Sequence, residues 1–234
     1  MNYKIIKDKQ LLLDFIDWLP ETKEYETYYV GLYARTKYCK NEDGSNKFPH
    51  IQTDKAQLKR LLSKKEFLYN KIWQLECEVG AYESRGFPIP QEALAIYITP
   101  NPRDMQKAAK QGLRVLADRI TEPYNGYNPQ QLVMSEVHKS VGRKIWLDFD
   151  FDGVSWEELS PQLDNVINRD CLKVLKTRGG LHLLIESSKI GKEYQKTWYK
   201  NIVKISGIDV KDSSGSQIPI PGCTQGEFVP YFIV

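Results

Sequence analysis

Three aspartates alternate with aromatic residues in IWLDFDFDGVSWEEL (residues 145–159), at Asp148, Asp150 and Asp152, and Gly153 follows at once. A calcium loop, a catalytic carboxylate pair and an acidic surface turn are the three chemistries this pattern allows. The spacing fills the first half of a D-x-D-x-D-G calcium loop, which also requires a bidentate Glu at its twelfth position. That position is Leu159, and Glu157 and Glu158 come too early. The flank RKIWLDFDF also alternates as a strand does, whereas such a loop is entered from a helix. In a strand, residues two apart share a face, so Asp148 and Asp150 project side by side while Leu147 and Phe149 pack on the other side. Adjacent carboxylates repel unless a divalent cation lies between them. Mg²⁺ and Mn²⁺ prefer such oxygen donors, and paired ions of this kind serve phosphoryl transfer. The plainer alternative is a pair that edges a solvent-facing turn.

Two further stretches carry chemistry. In LKTRGGLHLLIE (175–186) a turn at Arg178-Gly179-Gly180 feeds a strand whose second residue is His182. The glycines admit a phosphate close to the backbone, with Arg178 beside it. His182 faces away from Leu181 and Leu183, so it can look at the aspartate surface if the two strands are neighbours, holding a nucleotide phosphate rather than a metal. In GIDVKDSSGSQIPIPGCTQGEF (207–228), Asp209 or Asp212 offers a third carboxylate ahead of a Pro-Gly turn.

The elements that must position these groups follow from pattern and punctuation. At 234 residues the chain is long enough for one large or two small cores. No apolar run reaches bilayer length, and Asp14 and Asp17 interrupt the N-terminal one, so a cytoplasmic protein is expected with no membrane partner. Cys39, Cys77, Cys171 and Cys223 are scattered, which argues against a zinc site or a disulfide framework. A net charge of +3 does not by itself demand a nucleic-acid partner. Asp8 caps a helix over KQLLLDFIDWL; ETYYVGLYAR (26–35) reads as a strand, 39–50 as a mobile loop, and Asp54 to about Glu78 as a long helix. EALAIYITP (92–100) reads as a strand and 103–120 as a helix. Residues 121–130 mark a boundary. The rest runs strand, helix, strand, turn, strand, helix and a last short strand at QIPIPG, with Ser155 and Glu158 at capping-box spacing. That order is a split β-α-β, ferredoxin-like arrangement shared by RNA-recognition-motif folds. The fold class is therefore α+β, divided into an N-terminal α/β module (1–120), a connecting segment (121–143) and a C-terminal RRM-like module (144–234).

Taken in order, Asp148-Phe149-Asp150, Gly180-Leu181-His182 and Ile208-Asp209 resemble the three motifs of the archaeo-eukaryotic primase superfamily, the primase-polymerases of replicons, phages and plasmids. YITPNPRDMQKA (97–108) and PIPGCTQG are similar to segments found in the same family, so the resemblance covers about residues 92–228. It implies a two-module primase-polymerase-like core with the template in a cleft between modules. It further implies Mg²⁺ or Mn²⁺ held by Asp148, Asp150 and Asp209, and His182 on the incoming nucleoside triphosphate. Gly180, Arg178 and Lys176 would stand at the phosphates, and Arg103 or Arg35 would reach in from the N-terminal module. The implied partners are a single-stranded nucleic-acid template, nucleoside triphosphates and a helicase or other replication protein, because no P-loop is present in the chain.

A different class of function is a non-catalytic module that holds single strands on Trp146, Phe149 and Phe151. Aspartates on that sheet would repel phosphates unless a metal were bound. A rolling-circle nickase is disfavoured, since His182 is followed by Leu183 and Leu184 rather than by a second ligand histidine.

Overall fold

The computed structural model describes residues 1–41, 43–51, 55–205, 208–210 and 216–233. Helix α1 (Lys9–Trp18) begins where Asp8 accepts the Leu11 amide, the cap read from the sequence. Strand β1 (Glu26–Ala34) is buried along all nine residues, so both of its edges must be paired within the protein. Strand β2 (Ala56–Ser63) takes one edge in antiparallel register. The long helix expected from 54 to 78 is thus corrected to a strand followed by a single 3-10 turn and α2 (Leu68–Trp73). LKRLL spaces its leucines for either structure, and pairing with the buried β1 outweighs local helix propensity.

A two-residue ribbon, β3 (Glu83–Ser84) with β4 (Phe87–Pro88), leads to β5 (Leu94–Ile98), which takes the other edge of β1. Strand β6 (Arg103–Asp104) pairs with the start of β1, and Asp104 caps α3 (Met105–Ile120). The segment read as a connection contains a second helix, α4 (Pro129–Lys139), packed on α3. Its signals were Asn128 as cap and Pro129 in the first turn.

The second sheet is built from β7 (Trp146–Asp152), β8 (Leu172–Lys176), β9 (Gly180–Glu186), β10 (Ile208–Val210) and β12 (Tyr231–Phe232), in the order β10-β7-β9-β8-β12, every pair antiparallel. Helices α5 (Trp156–Leu159) and α6 (Trp198–Ile202) lie on the β7–β8 and β9–β10 crossovers. Both are shorter than the sequence pattern suggested. The capping box forms at Ser155 and Glu158, but Pro161 turns the chain into a 3-10 segment after one helical turn. Strand β11 (Ile218–Pro219) crosses over to pair with β5 in the first sheet, before β12 returns to the second. The molecule is mixed α+β with antiparallel sheets, as the sequence implies. Among the described residues, no helix is long and apolar enough to cross a membrane.

The two faces of β7 enter different cores. Phe149 and Phe151 join Leu181, Leu183 and Ile185 in a cluster that also holds Leu159, Trp198 and Ile202 from α5 and α6. Trp146 and Leu184, on the opposite face, join the core of the first sheet. The aspartates share that second face.

Candidate active site

Docking of β7 against the first sheet is fixed by buried polar groups just before it. The Asn101 carbonyl accepts the Ile145 and Trp146 amides at 2.9 and 2.8 Å, and its Nδ2 donates to the Trp146 carbonyl at 2.7 Å. Arg143 grips Glu26 at the start of β1 through two parallel bonds of 2.8 and 2.7 Å. This pair holds the Glu26 carboxyl below the usual carboxylate range, and the Arg143 hydrogen bond is the largest cause. Asp150 is thereby held at the boundary between the two sheets.

Register then sets the acidic wall. His182 lies directly opposite Asp150 on β9, and Asp209 lies directly opposite Asp150 on β10. His182 Nδ1 donates to Asp148 Oδ1 at 2.8 Å, and the Ser216 hydroxyl donates to Asp148 Oδ2. Both Asp148 oxygens are therefore engaged, and its side chain is 1% exposed. The Nδ1 bond turns His182 Nε2 toward Asp150, 3.6 Å from Oδ1, where the carboxylate is 17% exposed. The sequence treats Asp148 and Asp150 as equivalent ligands, but the structure gives them different environments. Asp148 orients the histidine from below, while Asp150 faces the cleft beside Asp152. For Asp209 only the backbone is described, and Asp212 lies outside the described residues. Among the described residues no group of three His, Cys, Asp or Glu side chains forms a metal cage.

Gly180 is required by the strand pairing itself. A Cβ there would stand 1.9 Å from the Phe151 carbonyl oxygen, so only glycine lets β9 run this close to β7. Gly179 does reach the cleft, and its carbonyl accepts the Gly153 amide at 2.8 Å.

The cleft, about 340 Å³, has walls of opposite sign. Asp150, Asp152 and His182 line one side; Arg35, Lys37 and Lys55 from the first-sheet region line the other. Tyr38 and Tyr97 form the platform beneath these cations. Lys55 Nζ lies 4.6 Å from the Tyr33 ring centre and 4.8 Å from that of Tyr97. Arg35 donates to the Tyr97 hydroxyl at 2.9 Å, and Arg35 and Lys37 each lie 5.6 Å from the Tyr38 ring centre. Burial pushes the Tyr38 hydroxyl pKa far above its ordinary value, so Tyr38 adds no charge.

The remaining expected residues are placed as follows. Arg178 is exposed and stacks 4.7 Å over Tyr38 at the margin of this platform. Lys176 sits opposite Leu181, on the face that carries the α5 and α6 core, and does not line the cleft. Arg103 is 0% exposed and touches the Ser216 carbonyl at 3.4 Å, one residue behind Asp148, so it backs the site instead of lining it. Burial lowers its pKa to about 10. Trp146, Phe149 and Phe151 are all buried, so they offer no platform for bases. Sequence reasoning missed Lys37, Lys55, Tyr97, Ser216, Gln217 and Gln225. Lys55 stands inside the stretch misread as helix, and the polar residues of 216–225 gave no pattern beyond the Pro-Gly turn.

Comparison of the chain with protein-family models, with curated proteins and with solved structures finds no match.

Proposed function

We propose that the chain is a metal-dependent nucleotidyltransferase of the primase-polymerase type, adding nucleotides on a single-stranded template. The observation that carries this reading is the two-signed cleft, in which Asp150, Asp152 and His182 face Arg35, Lys37 and Lys55. A nucleoside triphosphate needs cations along its phosphates, and hard oxygen donors are needed where charge builds up on the transferred group. The strand order β10-β7-β9-β8 supports an RRM-like second module, because β9 is inserted between β7 and β8 as in a split β-α-β. The first sheet would be the other module of the core.

The donor set fits a hard divalent cation: Asp150 and Asp152 present oxygens to the cleft, and Asp209 is placed opposite Asp150 by register. When bound, Mg²⁺ or Mn²⁺ would activate the attacking 3′-hydroxyl and neutralise the leaving pyrophosphate. Arg35, Lys37 and Lys55 bind the triphosphate. Asp148 fixes the His182 tautomer with hydrogen on Nδ1, so that Nε2 is turned toward the substrate side. The sheet aromatics are buried, which removes the stacking surface on which a purely strand-binding module would rely.

The test is labelled-nucleotide incorporation on a primed and an unprimed single-stranded template, with Mg²⁺ or Mn²⁺. Metal-dependent product in wild type and none in Asp148→Ala/Asp150→Ala is the expected result. Absence of product from wild type on both templates, with triphosphate and metal shown to bind, would overturn it.

A further inference from the structure

A second concavity opens beside the cleft, between β2 and α4, and the catalytic reading leaves it unused. It is about 460 Å³, lined by Gln57, Lys59, Arg60, Asn128, Gln130 and Gln131 together with the apolar Leu58 and Met134. No Asp or Glu stands among the described residues that line it. A register shift opposite Leu32 and Tyr33 leaves Leu58 unpaired, and this bulge brings Gln57 onto the face of Arg60, whose Nε donates to Gln57 Oε1. Regular alternation would send Gln57 and Arg60 to opposite faces.

One chain of hydrogen bonds spans the wall that the groove shares with the cleft. Gln57 donates to the Tyr33 hydroxyl at 3.2 Å, and that hydroxyl donates to Gln217 Oε1 at 2.9 Å, on the cleft wall. Lys55, two residues before Gln57, lines the cleft itself. At the far end, the loop leading to Asn128 presents Tyr124, 77% exposed, with its ring 5.4 Å from that of Tyr127. Exposed aromatic rings, amides and cations without carboxylates are the combination that holds unpaired bases and their phosphates. A duplex would offer stacked bases that these rings cannot reach, and a protein partner would not require so strict an exclusion of acids.

We infer that the β2–α4 groove, with Tyr124 and Tyr127 at its outer end, is the track on which a single-stranded nucleic acid runs into the cleft. The inference rests on the nucleotidyltransferase reading for what happens in the cleft, but strand binding in the groove can be measured without turnover. The probe is a fluorescein-labelled oligothymidylate of twenty nucleotides, titrated with the full chain and followed by anisotropy at several salt concentrations.

Arg60→Glu is expected to weaken binding about tenfold and to lower the slope of log affinity on log salt by about one. Tyr124→Ala/Tyr127→Ala is expected to weaken it about fivefold or more with the slope unchanged. Triphosphate binding in the presence of Mn²⁺ should be unaltered in both variants, which also shows that they fold. Unchanged oligonucleotide affinity in both variants, or equal losses of oligonucleotide and triphosphate affinity, overturns the track. Groove-dependent strand binding without any nucleotide incorporation would sustain the track and sink the catalytic reading. Incorporation that is indifferent to the groove variants would do the reverse.

Discussion

Behind the acidic wall of the cleft Asp148 is held by buried hydrogen bonds, whereas the cations of the opposite wall lie over aromatic rings. Asp148 has no solvent to turn to and is fixed by His182 and Ser216. Lys55 and Lys37 are long chains laid over Tyr33, Tyr97 and Tyr38, where the attraction is broad in angle and distance. In the proposed function, the first arrangement suits a reacting centre, because preorganised donors need no rearrangement as charge develops, and the second suits a flexible triphosphate that must enter and leave.

That contrast can be broken by substitution. Asp150→Ala should have the largest effect, lowering metal-dependent incorporation on the order of a thousandfold with little change in melting temperature. A comparable loss of stability would mean that Asp150 serves the fold instead. Asp148→Asn should act on both properties. Loss of the oriented histidine is expected to reduce turnover about ten- to a hundredfold, and the disturbed buried network to cost about 1–3 kcal/mol in urea denaturation. Full turnover in this variant would remove Asp148 from its orienting role.

On the cationic wall, Lys55→Ala should weaken triphosphate affinity by about tenfold and leave turnover at saturation nearly intact. Loss of turnover at saturating triphosphate would show that the cations are as fixed as the acids.

The smallest effect on activity is expected at His138, behind the cleft, where the ring packs 4.7 Å from Tyr29. Burial, with Arg103 and other cations nearby, lowers its pKa from 6.5 to about 4. The unfolded chain therefore takes up a proton at this residue below pH 6.5 that the folded chain refuses until about pH 4. Stability from this group is complete above pH 6.5 and falls as pH drops through that window, by at most about 1.4 kcal/mol per unit. His138→Phe should flatten that dependence in chemical denaturation, leaving incorporation at neutral pH unchanged. An unaltered slope would assign the acid sensitivity elsewhere.

The second sheet was more legible than the first. Alternation around Asp148 and Asp150 indicated a strand, and the glycines before His182 indicated the β8–β9 hairpin, but that β9 also pairs with β7 and sets His182 opposite Asp150 was only a condition in the sequence. Local pattern could not show that Asp148 would be covered, since that depends on Ser216, sixty-eight residues away. In the first sheet, β1 and β5 were readable from their Tyr, Val and Ile content. Strand β2 was not, because AQLKRLLS is a strand only by virtue of the neighbour it pairs with. The same misreading hid Lys55, and with it much of the cationic wall. Asn101 was visible as Asn-Pro, but its clamp on the start of β7 appears only in three dimensions.

The most direct test of the central claim is a titration of Mn²⁺ into the protein with a non-hydrolysable nucleoside triphosphate present, observed by electron paramagnetic resonance. Wild type should take up Mn²⁺ in a triphosphate-dependent manner. Asp150→Asn should lose that uptake almost completely, and Asp148→Asn should keep most of it. Identical uptake by wild type and Asp150→Asn would contradict the assignment of this cleft as the metal-dependent nucleotide site.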